Sequence, residues 1–132
     1  STGAVTKPLQ PVATASWSAT VAADTIIPAN VAQVNTGSHL ASSGRFTAPI
    51  AGTYWYSFTG MKADSTNNLK VDLLKNGSAA GHPAYTRDTI YYRASSFGYI
   101  DLAANDYLEF KVAAGHGNLH VTYGTMNFAL VA

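Results

Sequence analysis

Apolar and polar residues alternate with a period of two through most of this 132-residue chain, and no stretch shows convincing helical spacing. Glycines and turn-forming dipeptides recur every ten or so residues, the rhythm of an all-β sandwich. From Ala13 to Ala22 the alternation places Ala15, Trp17, Ala19 and Val21 on one face of a first strand. Thr25 to Val34 is apolar but interrupted by Pro28, and reads as an edge strand or an irregular crossover. Asn35 to Gly44 reads as a polar turn region, followed by a short extended piece from Arg45 to Ile50. After Ala51-Gly52 the alternation points Tyr54, Tyr56 and Phe58 one way and Trp55, Ser57 and Thr59 the other.

The second half continues in the same manner. Asp64 to Asn68 is a loop, and Leu69, Val71 and Leu73 form the inward face of a strand carrying Lys70, Asp72 and Leu74 outward. Asn76-Gly77 follows, a hairpin signal because both residues accept positive φ. Ser78 to Arg93 is aromatic and polar without a clear period, and strand character returns from Ser95 to Leu102. A turn at Ala104-Asn105-Asp106 precedes Leu108, Phe110 and Val112, which alternate with Glu109 and Lys111. A glycine turn from Gly115 to Asn118 leads into Leu119 to Tyr123. Met126, Phe128 and Leu130 then give the last strand an apolar face. Eight to ten strands in two packed sheets are expected, with residues 1–12 as a linker from an upstream segment and 13–132 as one domain.

Composition narrows the function. Only 11% of residues are charged, against roughly 25% in an average soluble protein. Ser, Thr, Asn and Gly take the place of charge, which suits a surface that packs against copies of itself. The net charge is +1 with the basic residues scattered, so no basic stripe points to nucleic acid. There is no cysteine, hence no disulfide, no thiolate zinc site and no thiol catalysis. No apolar run is long enough to span a bilayer, so membrane insertion is not expected.

Four segments, in order, resemble a known family. The run Gly44-Arg45-Phe46-Thr47-Ala48-Pro49-Ile50-Ala51-Gly52-Thr53-Tyr54-Trp55-Tyr56-Ser57-Phe58 resembles the signature of the C1q globular domain. It is followed by the hairpin Leu73-Leu74-Lys75-Asn76-Gly77, the strand from Asn105 to Val112, and the closing Asn127-Phe128-Ala129-Leu130, where the family usually has Gly in place of Asn127. The resemblance implies an all-β, two-sheet, ten-stranded jelly roll of the C1q and tumour-necrosis-factor type. It further implies first and last strands side by side, a homotrimer, and a recognition role. The chain departs from vertebrate members in lacking cysteine and in its low charge, and the run from Gly44 to Gly60 with its Ala, Thr and Asn enrichment resembles the versions found at bacteriophage tail-fibre tips, and also those of bacterial collagen-like surface proteins. A receptor-binding tip attached to a virion is therefore expected, its partner a host cell-surface glycan or protein. The alternatives are a structural trimerisation cap and a secreted lectin or adhesin.

Few residues offer chemistry. Glu109, the sole Glu, reads as a solvated charge beside Lys111 on an outward strand face. No nucleophile elbow or phosphate loop is present, and catalysis would need distant carboxylates such as Asp72 and Asp101 to converge. His116 and His120 stand four apart, which on a strand separates their Cα atoms by roughly 13 Å, too far to share an ion. A loop calcium site from Asp64, Asn67 and Asn68 lacks any supporting spacing, and neither metal nor cofactor is expected. The candidate ligand-binding residues are Tyr85, Arg87, Tyr91, Tyr92 and Arg93, where tyrosine faces and hydroxyls join guanidinium donors. The same tyrosines would also suit a trimer interface, and Trp55 reads equally as core, interface or surface.

Overall fold

The computed structural model describes residues 10–63, 68–86 and 93–132. Among these, ten strands form two antiparallel sheets and there is no helix. The strands are β1 (Val12–Ser16), β2 (Thr25–Ile26), β3 (Val31–Thr36), β4 (Phe46–Thr47), β5 (Gly52–Met61), β6 (Leu69–Lys75), β7 (Ser78–Thr86), β8 (Arg93–Leu102), β9 (Tyr107–Val112) and β10 (Thr125–Leu130). The first sheet has the order β3-β1-β10-β5-β8. The second runs β2-β9-β6-β7, with β4 also paired to β9. First and last strands lie side by side in register, Ala13 opposite Phe128 and Ala15 opposite Met126. This is the two-sheet jelly roll of C1q and tumour-necrosis-factor type that the motifs imply.

The core follows from the period of two. Tyr54, Tyr56 and Phe58 of β5 face inward, as do Leu69, Val71 and Leu73 of β6 and Leu108, Phe110 and Val112 of β9. Aromatic rings run through the middle in sequence. Trp17 stacks on Phe58 at 5.7 Å, Phe58 meets Phe110 at 5.3 Å, Phe110 meets Phe128 at 5.5 Å, and Phe128 stacks on Phe46 at 4.9 Å. The Tyr54 hydroxyl donates to the Ile50 carbonyl at 2.8 Å, so its burial leaves no polar atom unpaired.

Several boundaries differ from the sequence expectation, each for a visible reason. β1 ends at Ser16, not at Ala22, and Ala19 is exposed. The chain leaves the sheet because Ser18 and Asn30 bond each other, Ser18 N–H to Asn30 Oδ1 and Asn30 Nδ2 to Ser18 Oγ. Val21 rejoins the core through a bridge to Leu119. The segment around Pro28 splits into β2 and β3, which belong to different sheets, with β3 at a sheet edge. Asn35 is in β3 rather than in a turn, and its side chain bonds both backbone groups of Leu40. The reversal falls at Gly37 and Ser38, both at positive φ. Leu119 to Tyr123 forms only isolated bridges at Leu119.

The β6–β7 hairpin turns at Asn76 (φ 51) and Gly77 (φ 86), the conformation that Asn-Gly accepts most readily. Asn76 also ties this turn to the β8–β9 turn. Its amide donates to Asp106 Oδ1 at 3.0 Å and its carbonyl oxygen accepts from Tyr107 N–H at 2.9 Å. The Asn76 bond, then the Ala103 N–H at 2.8 Å, then the Lys75 ammonium hold the Asp106 carboxyl below the usual carboxylate range. A depressed pKa means that ionised Asp106 stabilises the fold above the ordinary value of 3.8 and loses that contribution as pH falls through the lower, folded value. Asp106→Asn is therefore expected to flatten the acid limb of stability below the ordinary carboxylate value of 3.8. Urea midpoints measured across that range check this, and an unchanged limb overturns it.

Candidate recognition surfaces

β5, β6, β8 and β10 bring several connections to one end of the sandwich. Met61 at the end of β5 pairs with Arg93 at the start of β8, Leu69 pairs with Thr86 at the end of β7, and Thr125 opens β10 opposite Thr59. Val12 and Leu130 lie at the opposite end. Of the five candidate ligand-binding residues, Tyr85 and Arg93 are both at this distal end, while Arg87, Tyr91 and Tyr92 lie outside the described residues.

Tyr85 stands exposed on the outer side of β7, opposite Lys70. Its hydroxyl accepts from Asn68 Nδ2 at 3.1 Å, and the His116 ring meets its ring edge-on at 5.8 Å. Asn68 is held in turn by Gly117, whose N–H donates to the Asn68 carbonyl at 2.6 Å. The Asn68 amide, considered above for calcium, thus serves tyrosine positioning, and Asp64 and Asn67 lie outside the described residues.

Arg93 belongs to a second group. Its guanidinium lies over the Tyr123 ring, 6.0 Å from its centre, and the His120 ring lies 6.3 Å from the Tyr123 ring, tilted by 31°. The backbone beneath is firmly anchored. Trp17 Nε1 donates to the His120 carbonyl at 2.8 Å, and His120 N–H donates to Met61 at 2.7 Å. Gly124 packs so closely on Trp17 that a Cβ there would lie 2.5 Å from Trp17 Cζ2 and 2.8 Å from the Thr59 carbonyl oxygen. Tyr123, just before it, takes φ 64, a left-handed conformation costing a non-glycine residue about 1–2 kcal/mol. The two histidines singled out by their spacing therefore serve separate groups, His116 beside Tyr85 and His120 beside Tyr123.

A different surface covers the outer side of the first sheet. The register places Phe97 opposite Ser57, Tyr99 opposite Trp55, Trp55 opposite Ala129, and Ala129 opposite Val12. Phe97 and Tyr99 are 73% and 71% exposed in the single chain. Beside them runs a polar ladder whose groups bond one another: Thr14 Oγ1 donates to Asn127 Oδ1 at 2.8 Å, and Asn127 Nδ2 to Ser57 Oγ at 2.9 Å. On β8 only Arg93 and Asp101, at its two ends, bring charge to this side. Trp55 is accordingly a half-buried part of this face, not of the core.

Asp72 and Asp101 do not converge. Asp72 pairs with Lys70 at 3.6 Å on the outer side of the second sheet, whereas Asp101 accepts from Thr53 at 2.7 Å on the outer side of the first. Glu109 departs from the sequence expectation of a solvated charge, being 9% exposed. β9 is flanked by β6 and by β4. Arg45, just before β4, lies over the Tyr107 ring at 3.8 Å and reaches Glu109 Oε2 at 3.5 Å, covering the carboxylate. Alternation within β9 carries no hint of that neighbour.

No curated protein shows significant sequence similarity to the chain. Its fold, however, is similar to those of solved structures. The globular domain of zebrafish complement 1qA protein superposes with a TM-score of 0.75 at 15% identity, covering 93% of this chain and 98% of that one. Murine APRIL at pH 5.0 gives 0.73 at 14% identity, with 92% and 99% covered. Eiger TNF from S. frugiperda gives 0.70 at 17% identity, with 96% and 94% covered. The C1q domain family model matches residues 12–127. With nine of its ten strands wholly inside that match and the tenth beginning there, the chain belongs to the C1q domain family.

Proposed function

We propose that this domain is a homotrimeric recognition head, set at the tip of a phage tail fibre, that attaches to a host cell surface. C1q-type domains are in general ligand-binding modules of extracellular or secreted proteins and not catalysts. The observation that carries the trimer is the outer face of the first sheet. Phe97, Tyr99, Trp55 and Ala129 form an apolar strip beside a polar ladder already satisfied within the chain. Such a face loses less on burial than a charged one, since the ladder groups keep the bonds they make to one another. A homotrimer is the closed symmetric assembly that buries this strip three times around one axis.

Recognition falls to the distal end. In this reading the chain ahead of β1 leads in from an upstream shaft, leaving the Tyr85 and Tyr123 groups facing outward. Three identical sites on one rigid body bind a repetitive surface by avidity, which multiplies affinity about 100- to 10,000-fold without new contacts. The virion setting is supported by the composition, with 11% charged residues and no cysteine. Light scattering of the purified domain is expected to give three copies of 13.9 kDa, about 42 kDa. Labelled trimer is expected to bind glycans on an array. A stable monomer overturns the trimer. A folded trimer that binds neither glycans nor host cells supports a structural cap instead.

A further inference from the structure

The structure assigns Arg93, Tyr123 and His120 to a binding site for a carboxylate-bearing sugar, such as a sialic or uronic acid. This rests on the reading of the domain as a recognition head and names the ligand class for one part of its distal end. Three observations carry it.

The first is a ring held out into solvent. Tyr123 is 63% exposed although its backbone is pinned from below by Trp17, His120 and Gly124. The left-handed backbone lets Gly124 pack on Trp17 and holds the Tyr123 ring out in solvent. That ring presents a flat aromatic surface, with the Arg93 guanidinium over it at 6.0 Å and the His120 ring 6.3 Å away and tilted by 31°. The apolar C–H side of a sugar ring packs on such a face.

The second is a cation with no ion pair to a described residue. Each described carboxylate is engaged elsewhere: Asp24 with Lys111, Asp72 with Lys70, Asp101 with Thr53, Asp106 with Lys75 and Asn76, and Glu109 with Arg45. None of the ion pairs between described residues involves Arg93, whose fork geometry matches a carboxylate in bidentate fashion.

The third is a fixed tautomer. His120 Nδ1 accepts the Thr122 N–H at 3.0 Å, so in the neutral ring the proton resides on Nε2. That nitrogen is then a donor, suited to a sugar hydroxyl or to the same carboxylate. A cation, a donor and a stacking face together describe an acidic sugar better than a neutral one.

The test uses an array of sialylated and uronic-acid glycans beside counterparts whose carboxyl is reduced to an alcohol. The wild-type trimer is expected to bind acidic members and to lose roughly ten- to a hundred-fold in affinity on the reduced ones. Arg93→Ala and Tyr123→Ala should each lose a similar factor, with Arg93→Lys between, while mass and circular dichroism stay unchanged. Ile50→Ser, at the opposite end, should bind as wild type. Binding that ignores carboxyl reduction and survives Arg93→Ala overturns the acidic-sugar site yet leaves the recognition head standing. A folded trimer that binds host cells but no glycan also overturns it and points to a protein receptor. Failure to bind either overturns both readings.

Discussion

Phe128→Ala is expected to lower the stability of the fold by about 3–5 kcal/mol, enough to unfold much of a domain whose total is about 5–15 kcal/mol. The ring is fully buried on β10, stacked on Phe46 at 4.9 Å and packed against Phe110 at 5.5 Å. Its removal deletes apolar contacts on both sides and leaves a cavity between the sheets. The β-strand backbone on either side restricts collapse, because Ala13 opposite it is paired in β1 and Tyr56 in β5. Each lost aromatic pair adds about 0.5–1.5 kcal/mol beyond the area term. Phe128→Leu, which keeps most of the volume, should cost much less. Urea denaturation of the three proteins checks the order, and a loss below about 1 kcal/mol for Phe128→Ala shows that the two sheets can close over the gap.

Phe97→Glu is expected to separate the trimer into monomers that remain folded. In the single chain Phe97 projects from β8 into solvent, 73% exposed, so a charge there costs the monomer little. In the trimer the same position would carry three carboxylates into a surface whose centre is apolar. A buried charge without a partner costs several kcal/mol, and three of them repel one another. Light scattering should therefore fall from about 42 kDa to 13.9 kDa, with the far-ultraviolet spectrum retained. Avidity should fall with it, by about 100- to 10,000-fold on a repetitive surface. A variant that stays at three copies shows that the strip of Phe97, Tyr99 and Trp55 is not the interface. Loss of binding in a folded monomer separates assembly from recognition, which substitutions at Tyr123 probe in the intact trimer.

How far these expectations can be read without a structure differs from element to element. Strand existence, core faces and hairpin turns are local properties. Alternation along Tyr54, Tyr56 and Phe58, or Leu69, Val71 and Leu73, tells which side is buried because a strand has only two sides. Asn76-Gly77 tells where the chain reverses because few dipeptides tolerate that conformation. The four ordered motifs then identify the family, and with it the pairing of first and last strands.

Contacts between distant segments are a different matter. The burial of Glu109 depends on Arg45, and the left-handed Tyr123 on a tryptophan far earlier in the chain. The aromatic stretch from Tyr85 to Arg93 was legible as polar and aromatic. Yet its two described binding candidates separate, Tyr85 to Asn68 and His116, Arg93 to Tyr123 and His120. His120 and Tyr123 carried no sequence signal beyond the histidine spacing, which on a strand argued against a shared metal ion and said nothing of a sugar. The sequence by itself determined the all-β class, the core faces, the turns and the family, since these depend on near neighbours and on ordered motifs. Only the tertiary structure decided which exposed side chains meet at the distal end and which outer face is apolar, because strand pairing joins residues that no local pattern connects.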